Sequence, residues 1–422
     1  MKVKRLKMKS FRGISDLTLD FHETEPTVFL GINGVGKSSI LDCLAILISE
    51  LQHWIFQYKK SPDSFYREQD IMKKRNKTRN VLTLQWDSLE GEWFSTGEPG
   101  EHKTLRTNSY LEGNLGVVIK DFRNQFVDNF DASANLPLAI YYPVNRAVLD
   151  VPLEIPEEHL FKQIDAYDQA LTGVQIGFGS FFQWFRAIED LENEERRDNS
   201  DYRNLQLEAV RQAIYSLLPG FSNLRIRRSP LRMTVTKQGQ ELIINQLSDG
   251  EKGLLAMVGD LARRLAIANP SLPDPLQGSG VVLIDEIELH LHPKWQREII
   301  PALTRTFPNC QFIVTTHSPQ VISDVKPDSI YILEATPEGI VAKRPDSSFG
   351  RDSNYILEVL MGTAARKEEI KDELLELFRL IDKGDLDGSR QLRQQIAEKI
   401  GSDEPQLVKA DVLLRRKEIL NR

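Results

Sequence analysis

Cysteine is scarce: Cys43 and Cys310 are the only two among 422 residues, each inside an apolar segment and far apart in sequence. They cannot found a disulfide framework, and with no CxxC pair or Cys/His cluster nothing suggests structural zinc; two buried thiols in a reducing compartment are expected. No run of about 18 apolar residues is present, so no membrane-spanning helix is expected. The basic start, Met1 to Lys9, lacks the apolar core of a signal peptide. Together these absences point to the cytoplasm, with no membrane as partner. Positive charge is also in deficit: the formal net charge is -7 and the pI is near 5.7. That argues against wholesale coating of nucleic acid and leaves room only for a local basic patch. The stretch between Ser39 and Leu247 lacks sustained heptads, which excludes a long coiled-coil arm.

What is present is ordinary globular composition, with 41% hydrophobic and 27% charged residues. The length exceeds the roughly 250–300 residues that one core supports, so one large core with appended lobes, or two domains, is expected. The chain is organised around Gly31-Ile32-Asn33-Gly34-Val35-Gly36-Lys37-Ser38, which fits G-x-x-x-x-G-K-[ST] at every fixed position. A buried-strand pattern, Thr27 to Leu30, precedes it and a helical pattern, Ser39 to Ile48, follows. The residue types serve phosphate: glycines let backbone N–H groups wrap an anion, the helix start adds its positive end, Lys37 adds a point charge, and Ser38 offers Mg²⁺ a hydroxyl.

Ahead of that loop, Val3, Leu6 and Met8, then Leu17, Leu19 and Phe21, alternate as a two-stranded hairpin of edge strands with Phe11-Arg12-Gly13-Ile14 at its bend. Arg12 stands close enough in sequence to the loop to approach a nucleotide; solubility alone would also account for it. Ser49 to Asn135 is more polar, with the basic run Lys73 to Lys77 and one strand, Val81 to Trp86. A further strand, Leu136 to Tyr142, ends in Pro143-Val144-Asn145-Arg146. Two helical patterns follow, through Phe181, Trp184, Phe185 and Ile188 and then through Leu205, Val210, Ile214 and Leu217. Two more strands, Leu231 to Val235 and Leu242 to Ile244, flank a turn.

Leu247-Ser248-Asp249-Gly250-Glu251 opens a helix, and a serine with a glycine there can serve an anion or simply cap. Gly280 to Ile284 reads as a central parallel strand whose end presents two acids, Asp285 to hold Mg²⁺ and Glu286 to polarise the attacking water. His290 and His292 have no third ligand nearby in sequence, which disfavours a metal reading. His317 ends another buried strand, Phe312 to Thr316, where it can sense a terminal phosphate.

The ordered set GINGVGKSS, LSDGE, VVLIDE and TTHSP resembles the ATP-binding-cassette ATPases, with Walker A at Gly31 to Ser39, the signature at Leu247 to Glu251, Walker B with catalytic Glu286, and the switch histidine His317. The Phe11-Arg12-Gly13 start and the Asp285 to Pro293 string resemble the branch of RecF, structural-maintenance-of-chromosomes (SMC) heads and overcoming-lysogenization-defect nucleases. Tyr141 to Arg146 and Phe182 to Phe185 are similar to the AAA_21-like group described as "predicted ATP-binding protein involved in virulence", which includes the Septu PtuA ATPases of anti-phage defence. Asp249 and Glu251 depart from the transporter signature.

The resemblance implies an α/β fold: a mixed sheet with a phosphate loop, an antiparallel subdomain, a helical insert and C-terminal helices. It divides the chain into 1–155 with Walker A, the insert 156–222, 223–345 with signature, Walker B and histidine, and the helical region 346–422. It implies binding of ATP with Mg²⁺ by Asn33, Gly34, Val35, Gly36, Lys37, Ser38, Ser39 and Asp285, and a head-to-head homodimer completed by Ser248, Asp249, Gly250 and Glu251. Gln69 with Asp70, or Asn145 with Arg146, supplies the remaining loop residue near the metal. The tail lacks the acid-tipped strands of a Toprim nuclease, and Asp385-Leu386-Asp387 reads as a turn, so the resemblance implies a separate HNH nuclease of the PtuB kind. A RecF-like repair ATPase binding DNA through Lys73 to Lys77 and Arg225 to Arg228 is the alternative. A transporter subunit is disfavoured.

Overall fold

The computed structural model describes residues 1–56, 66–86, 88–99, 105–124, 134–144, 161–173 and 177–420. Asn145 and Arg146 lie outside the described residues. The described chain forms two compact units, Met1–Arg351 and Asp352–Arg422.

In the first unit the elements run β1 (Lys2–Phe11), β2 (Ile14–Asp20), β3 (Thr27–Leu30), α1 (Lys37–Phe56), β4 (Thr78–Trp86), β5 (Leu89–Pro99), β6 (Leu105–Gly113), α2 (Leu115–Arg123) and β7 (Leu138–Tyr142). They continue with α3 (Phe178–Asp198), α4 (Leu205–Leu217), β8 (Phe221–Arg228), β9 (Leu231–Lys237), β10 (Gln240–Ile243), α5 (Asp249–Ala268), β11 (Gly280–Ile284), α6 (Pro293–Thr306), β12 (Cys310–Thr316), α7 (Pro319–Ile322), β13 (Ile330–Thr336) and β14 (Gly339–Lys343).

Among the described residues three sheets result, which makes the fold a mixed α/β one. The six-stranded sheet has the order β14-β13-β3-β12-β11-β7 and is parallel from β13 to β7. Every residue of β3, β7, β11 and β12 is buried. Parallel strands covered on both faces need such unbroken apolar runs, and α1 packs against β7, β11 and β12 while α5 packs against β7. The phosphate-loop strand β3 is interior; β11 lies one place in from the edge strand β7 instead of at the centre.

The hairpin β1–β2 belongs to a five-stranded antiparallel sheet, β2-β1-β4-β5-β6, so of the hairpin's two strands β1 is interior and β2 lies at an edge. The polar stretch between Ser49 and Asn135 contributes β5, β6 and α2 beyond the one strand expected there. The third sheet is β10-β9-β8. After β12 the chain forms the short helix α7 before the β13–β14 hairpin, because Ser318 caps it by accepting N–H groups from Gln320 and Val321.

The helix α1 is long and apolar enough to cross a membrane, but so is the core helix of many folded proteins, and its residues Ile40, Leu41, Leu44, Leu47 and Ile48 are fully buried here. Both cysteines are free and buried.

The second unit holds α8 (Ser353–Tyr355) running into a π-turn, then α9 (Glu368–Lys383), α10 (Leu386–Ile400) and α11 (Pro405–Leu420). Ile370, Leu374, Leu377 and Ile381, spaced on one helical face, pack with Ile396, Leu407, Ala410 and Leu414. Asp385 caps α10 by accepting the Gly388 N–H at 2.9 Å, so Leu386 and Asp387 are already helical.

Candidate functional site

Register brings the site together. Leu30, Ile284 and Thr316 end β3, β11 and β12, and because these strands are parallel their carboxyl ends meet along one rim. That is where open α/β sheets place ligand-binding residues.

From β3 the chain turns through Gly31 to Gly36 into α1. Gly36 sits at φ +105, a conformation that favours glycine, and a Cβ there would press on the end of the Ile340 side chain at 3.0 Å. Lys37 is 5% exposed, and its Nζ donates to the carbonyls of Gly31 at 2.9 Å and Ile32 at 3.0 Å. Burial lowers its pKa from the ordinary lysine value, against the upward pull of Asp285, Glu286 and Glu288. Asn33, Gly34 and Ser38 are exposed, Val35 is buried, and Ser39 is half-buried.

At the end of β11, Asp285 donates its backbone N–H to Tyr142 at 2.9 Å. Its Oδ1 accepts the Thr315 hydroxyl, and the same Thr315 oxygen accepts the Glu286 N–H at 2.7 Å. Glu286 adopts φ +47, a region few non-glycine residues occupy. His317 Nε2 stands 3.9 Å from Glu286 Oε1, and its backbone N–H donates to Glu288. Burial lowers the His317 pKa, Lys37 adds to that, and Glu288, Glu286 and Asp285 oppose it. Its imidazole is therefore neutral at neutral pH, and the 3.9 Å approach is a polar contact instead of an ion pair.

Lys37, Asp285, Glu286, Glu288 and His317 thus form one cluster. Asp285 with the Ser38 hydroxyl is a hard oxygen donor set of the kind that shares Mg²⁺ with phosphates and water. Among the described residues no group of three His, Cys, Asp or Glu side chains could hold a metal by itself. His292 caps α6 by accepting the Lys294 N–H at 3.2 Å.

Ser248 to Glu251 forms a second cluster at the start of α5. Ser248 and Glu251 make a reciprocal capping box: Ser248 Oγ accepts the Glu251 N–H at 3.4 Å and Glu251 Oε2 accepts the Ser248 N–H at 3.0 Å, with the Ser248 hydroxyl donating to the same oxygen at 2.9 Å. Glu251 also takes Lys237 Nζ at 2.5 Å. Burial pushes its carboxyl up, but Lys237 and Ser248 outweigh that and hold it below the usual range. Asp249 is exposed and pairs with Lys252 at 2.8 Å. A Cβ on Gly250 would come 2.2 Å from the His290 carbonyl oxygen, so the helix start lies directly on the loop that follows Glu286.

Arg12 is engaged elsewhere: it pairs with Asp42 of α1 and with Asp70 at 2.8 Å. Gln69 is exposed in the short turn beside Asp70. Arg225 and Arg227 pair with Glu241, and Arg228 with Glu189 and Asp190. Lys73, Lys74 and Arg75 are exposed.

Sequence reasoning missed Thr315 and Glu288. The pairing of Ile284 with Val314 puts Asp285 beside Thr315, so a hydroxyl residue at the end of the strand neighbouring two acids was the available signal.

Among relatives, the "Retron Ec83 probable ATPase" of Escherichia coli is 30% identical over 99% of this chain and 87% of its own length. The "Septu protein PtuA" of Bacillus thuringiensis is 23% identical over 89% and 88%. Among solved structures, an SMC head bound to the C-winged helix domain of ScpA aligns at 15% identity with a TM-score of 0.49, covering 82% of this chain and 98% of that one. Residues 27–323, from the start of β3 past His317, match the family described as "AAA domain, putative AbiEii toxin, Type IV TA system", and the chain belongs to that family.

Proposed function

We propose that the chain is an ATP-hydrolysing switch whose heads pair around nucleotide and whose cycle controls a separate nuclease. The observation that carries the hydrolytic reading is the acid pair at the end of β11, held by Thr315 beside the Lys37 loop and His317. Lys37 and the loop N–H groups would take the phosphates, and Glu286 would orient the attacking water and accept its proton. Ser38 and Asp285 would hold Mg²⁺, which offsets phosphate charge when bound. The neutral His317 imidazole would offer a hydrogen bond to the terminal phosphate.

The exposed start of α5 at Ser248 and Asp249 supports head-to-head pairing, with that cluster completing the site of a second copy. In this reading 1–155 and 223–345 are the two ATPase lobes, 156–222 the insert and 346–422 an appended helical region, all working in the cytoplasm. The retron and Septu names of the relatives support a role in anti-phage defence, and the Septu likeness favours an HNH nuclease as the partner. The RecF-like alternative asks Lys73 to Lys77 together with Arg225, Arg227 and Arg228 to line a DNA groove; each of these arginines already holds a carboxylate, which leaves the exposed Lys73, Lys74 and Arg75 as its support.

Glu286→Gln tests the reading: the variant should bind ATP, lose turnover and accumulate dimers on light scattering. Unchanged hydrolysis would remove Glu286 from its role. DNA cleavage by the purified chain alone would sink the two-component scheme.

A further inference from the structure

Strand β12 ends at Thr316, so no sheet ladder fixes the backbone of His317. Side chains hold that turn instead. The His317 N–H donates to Glu288 Oε1, the Ser318 N–H to Thr316 Oγ1 at 3.0 Å, and the Ser318 hydroxyl to Gln296 Oε1 at 2.7 Å. Of these three acceptors Glu288 alone bonds His317 itself, and it comes from the segment that carries Glu286. That segment is fastened to the same strand end: Glu286 donates its N–H to Thr315 Oγ1 at 2.7 Å, and Ile287 donates to the Thr315 carbonyl at 3.0 Å. Residues 286–288 and 315–317 are therefore joined beyond Ile284 and Val314, the last pair of β11 and β12. The second oxygen of Glu288, Oε2, is shut off from solvent and has no hydrogen-bond partner among the described residues. A carboxylate kept half unpaired is a costly way to tie down one amide if loop stability is all that it serves.

We propose that Glu288 is the positioning residue that sets His317 against Glu286 for hydrolysis. This role rests on the reading above, in which the His317 imidazole meets the terminal phosphate and Glu286 the attacking water. Both groups must then serve one transition state, and a relative displacement on the order of 1 Å is enough to cost about a hundredfold in rate. Glu288 lies two residues from Glu286 and holds the His317 amide, so it fixes the distance from one group to the other, seen in the 3.9 Å between His317 Nε2 and Glu286 Oε1. It is not a second base: Oε1 is taken by the amide, and no attacking water reaches the enclosed Oε2. Its effect on the reaction passes through His317.

The test is a double-mutant cycle on the full chain, with kcat and ATP affinity measured for Glu288→Leu, His317→Ala and the two combined, and for Glu288→Gln, each checked by circular dichroism and thermal melting. Glu288→Leu should lower kcat about 10- to 100-fold with ATP affinity within about threefold. Glu288→Gln, whose amide oxygen can still accept the His317 N–H, should keep kcat within about threefold. Added to His317→Ala, Glu288→Leu should change kcat by less than about threefold, because the group that it positions is already gone. Glu288→Asp, one methylene short of the amide, repeats the cycle should the leucine variant not fold. Losses that multiply in the combined variant, or a glutamine variant as slow as the leucine one, would overturn the positioning role alone. Normal turnover in His317→Ala would overturn the part given to His317 in hydrolysis, and this role with it.

Discussion

The Thr315 hydroxyl accepts the Glu286 backbone N–H at 2.7 Å while donating to Asp285. One side chain of β12 therefore sets the spacing of both acids at the end of β11. Glu286 needs such a tether because its φ of +47 is an unfavourable conformation for a side-chain-bearing residue.

Removing the hydroxyl should loosen chemistry more than binding. Thr315→Val is expected to lower kcat about 10- to 100-fold with ATP affinity within about threefold, and Thr315→Ser should restore most of the rate because it keeps the bridge. Equal losses in the serine and valine variants would show that packing, not the hydroxyl, matters.

His317 offers a titration with a definite sign. Burial and the Lys37 charge hold its pKa below 6.5, so it should be neutral at pH 7 in an NMR titration of the imidazole. Lys37→Met should raise that pKa and Glu288→Gln should lower it further. Because the folded value is the depressed one, the unfolded chain binds the proton first. Stability is fully present above 6.5 and declines as pH falls through the folded value.

These residues also show what local sequence could and could not reveal. The strands β3, β7, β11 and β12 are legible because doubly covered parallel strands require continuous apolar runs, and the phosphate loop and the Ser248 cap are spelled by neighbouring letters. By contrast, β6 reads LRTNSYLEG, with no strand pattern of its own. It is a strand because β5 pairs with it, Phe94 facing Tyr110. Thr315 looks like any β-branched strand residue until the β11–β12 register puts it beside Asp285. The run Arg225 to Arg228 looks like a basic patch until Glu241, Glu189 and Asp190 arrive from distant segments. In each case the deciding partner is remote in sequence.

Gly250 is a second contact between remote segments. Its α carbon lies so near the His290 carbonyl that an added methyl would be 2.2 Å from that oxygen. Backbone cannot swing aside as a flexible side chain can. Gly250→Ala should therefore cost about 1–3 kcal/mol in chemical denaturation and reduce ATP turnover by displacing the loop that follows Glu286. A variant of unchanged stability and rate would mean that α5 and this loop part freely.

Glu50 predicts a pH dependence far from the phosphates. It is 2% exposed in α1 and accepts hydrogen bonds from Ser95 at 2.9 Å, Ser109 at 3.1 Å and Trp93 at 3.3 Å. Burial lifts its pKa from 4.5 to about 7, against the opposing pull of those donors. Between those values the folded chain keeps a proton that the unfolded chain has lost, so stability is full below 4.5 and falls as pH rises through about 7. At about 1.4 kcal/mol per pH unit the loss is about 3 kcal/mol. Glu50→Gln keeps the shape and removes the ionisation, while Ser95 and Ser109 can turn their hydroxyls to suit the amide. Its unfolding free energy should vary less between pH 5 and pH 8 than that of the wild-type chain, and it should be the more stable of the two at pH 8. If the two profiles run parallel, Glu50 enters the folded state with an ordinary carboxyl, and α1 is joined to the β5–β6 sheet by a charged group instead of a neutral one.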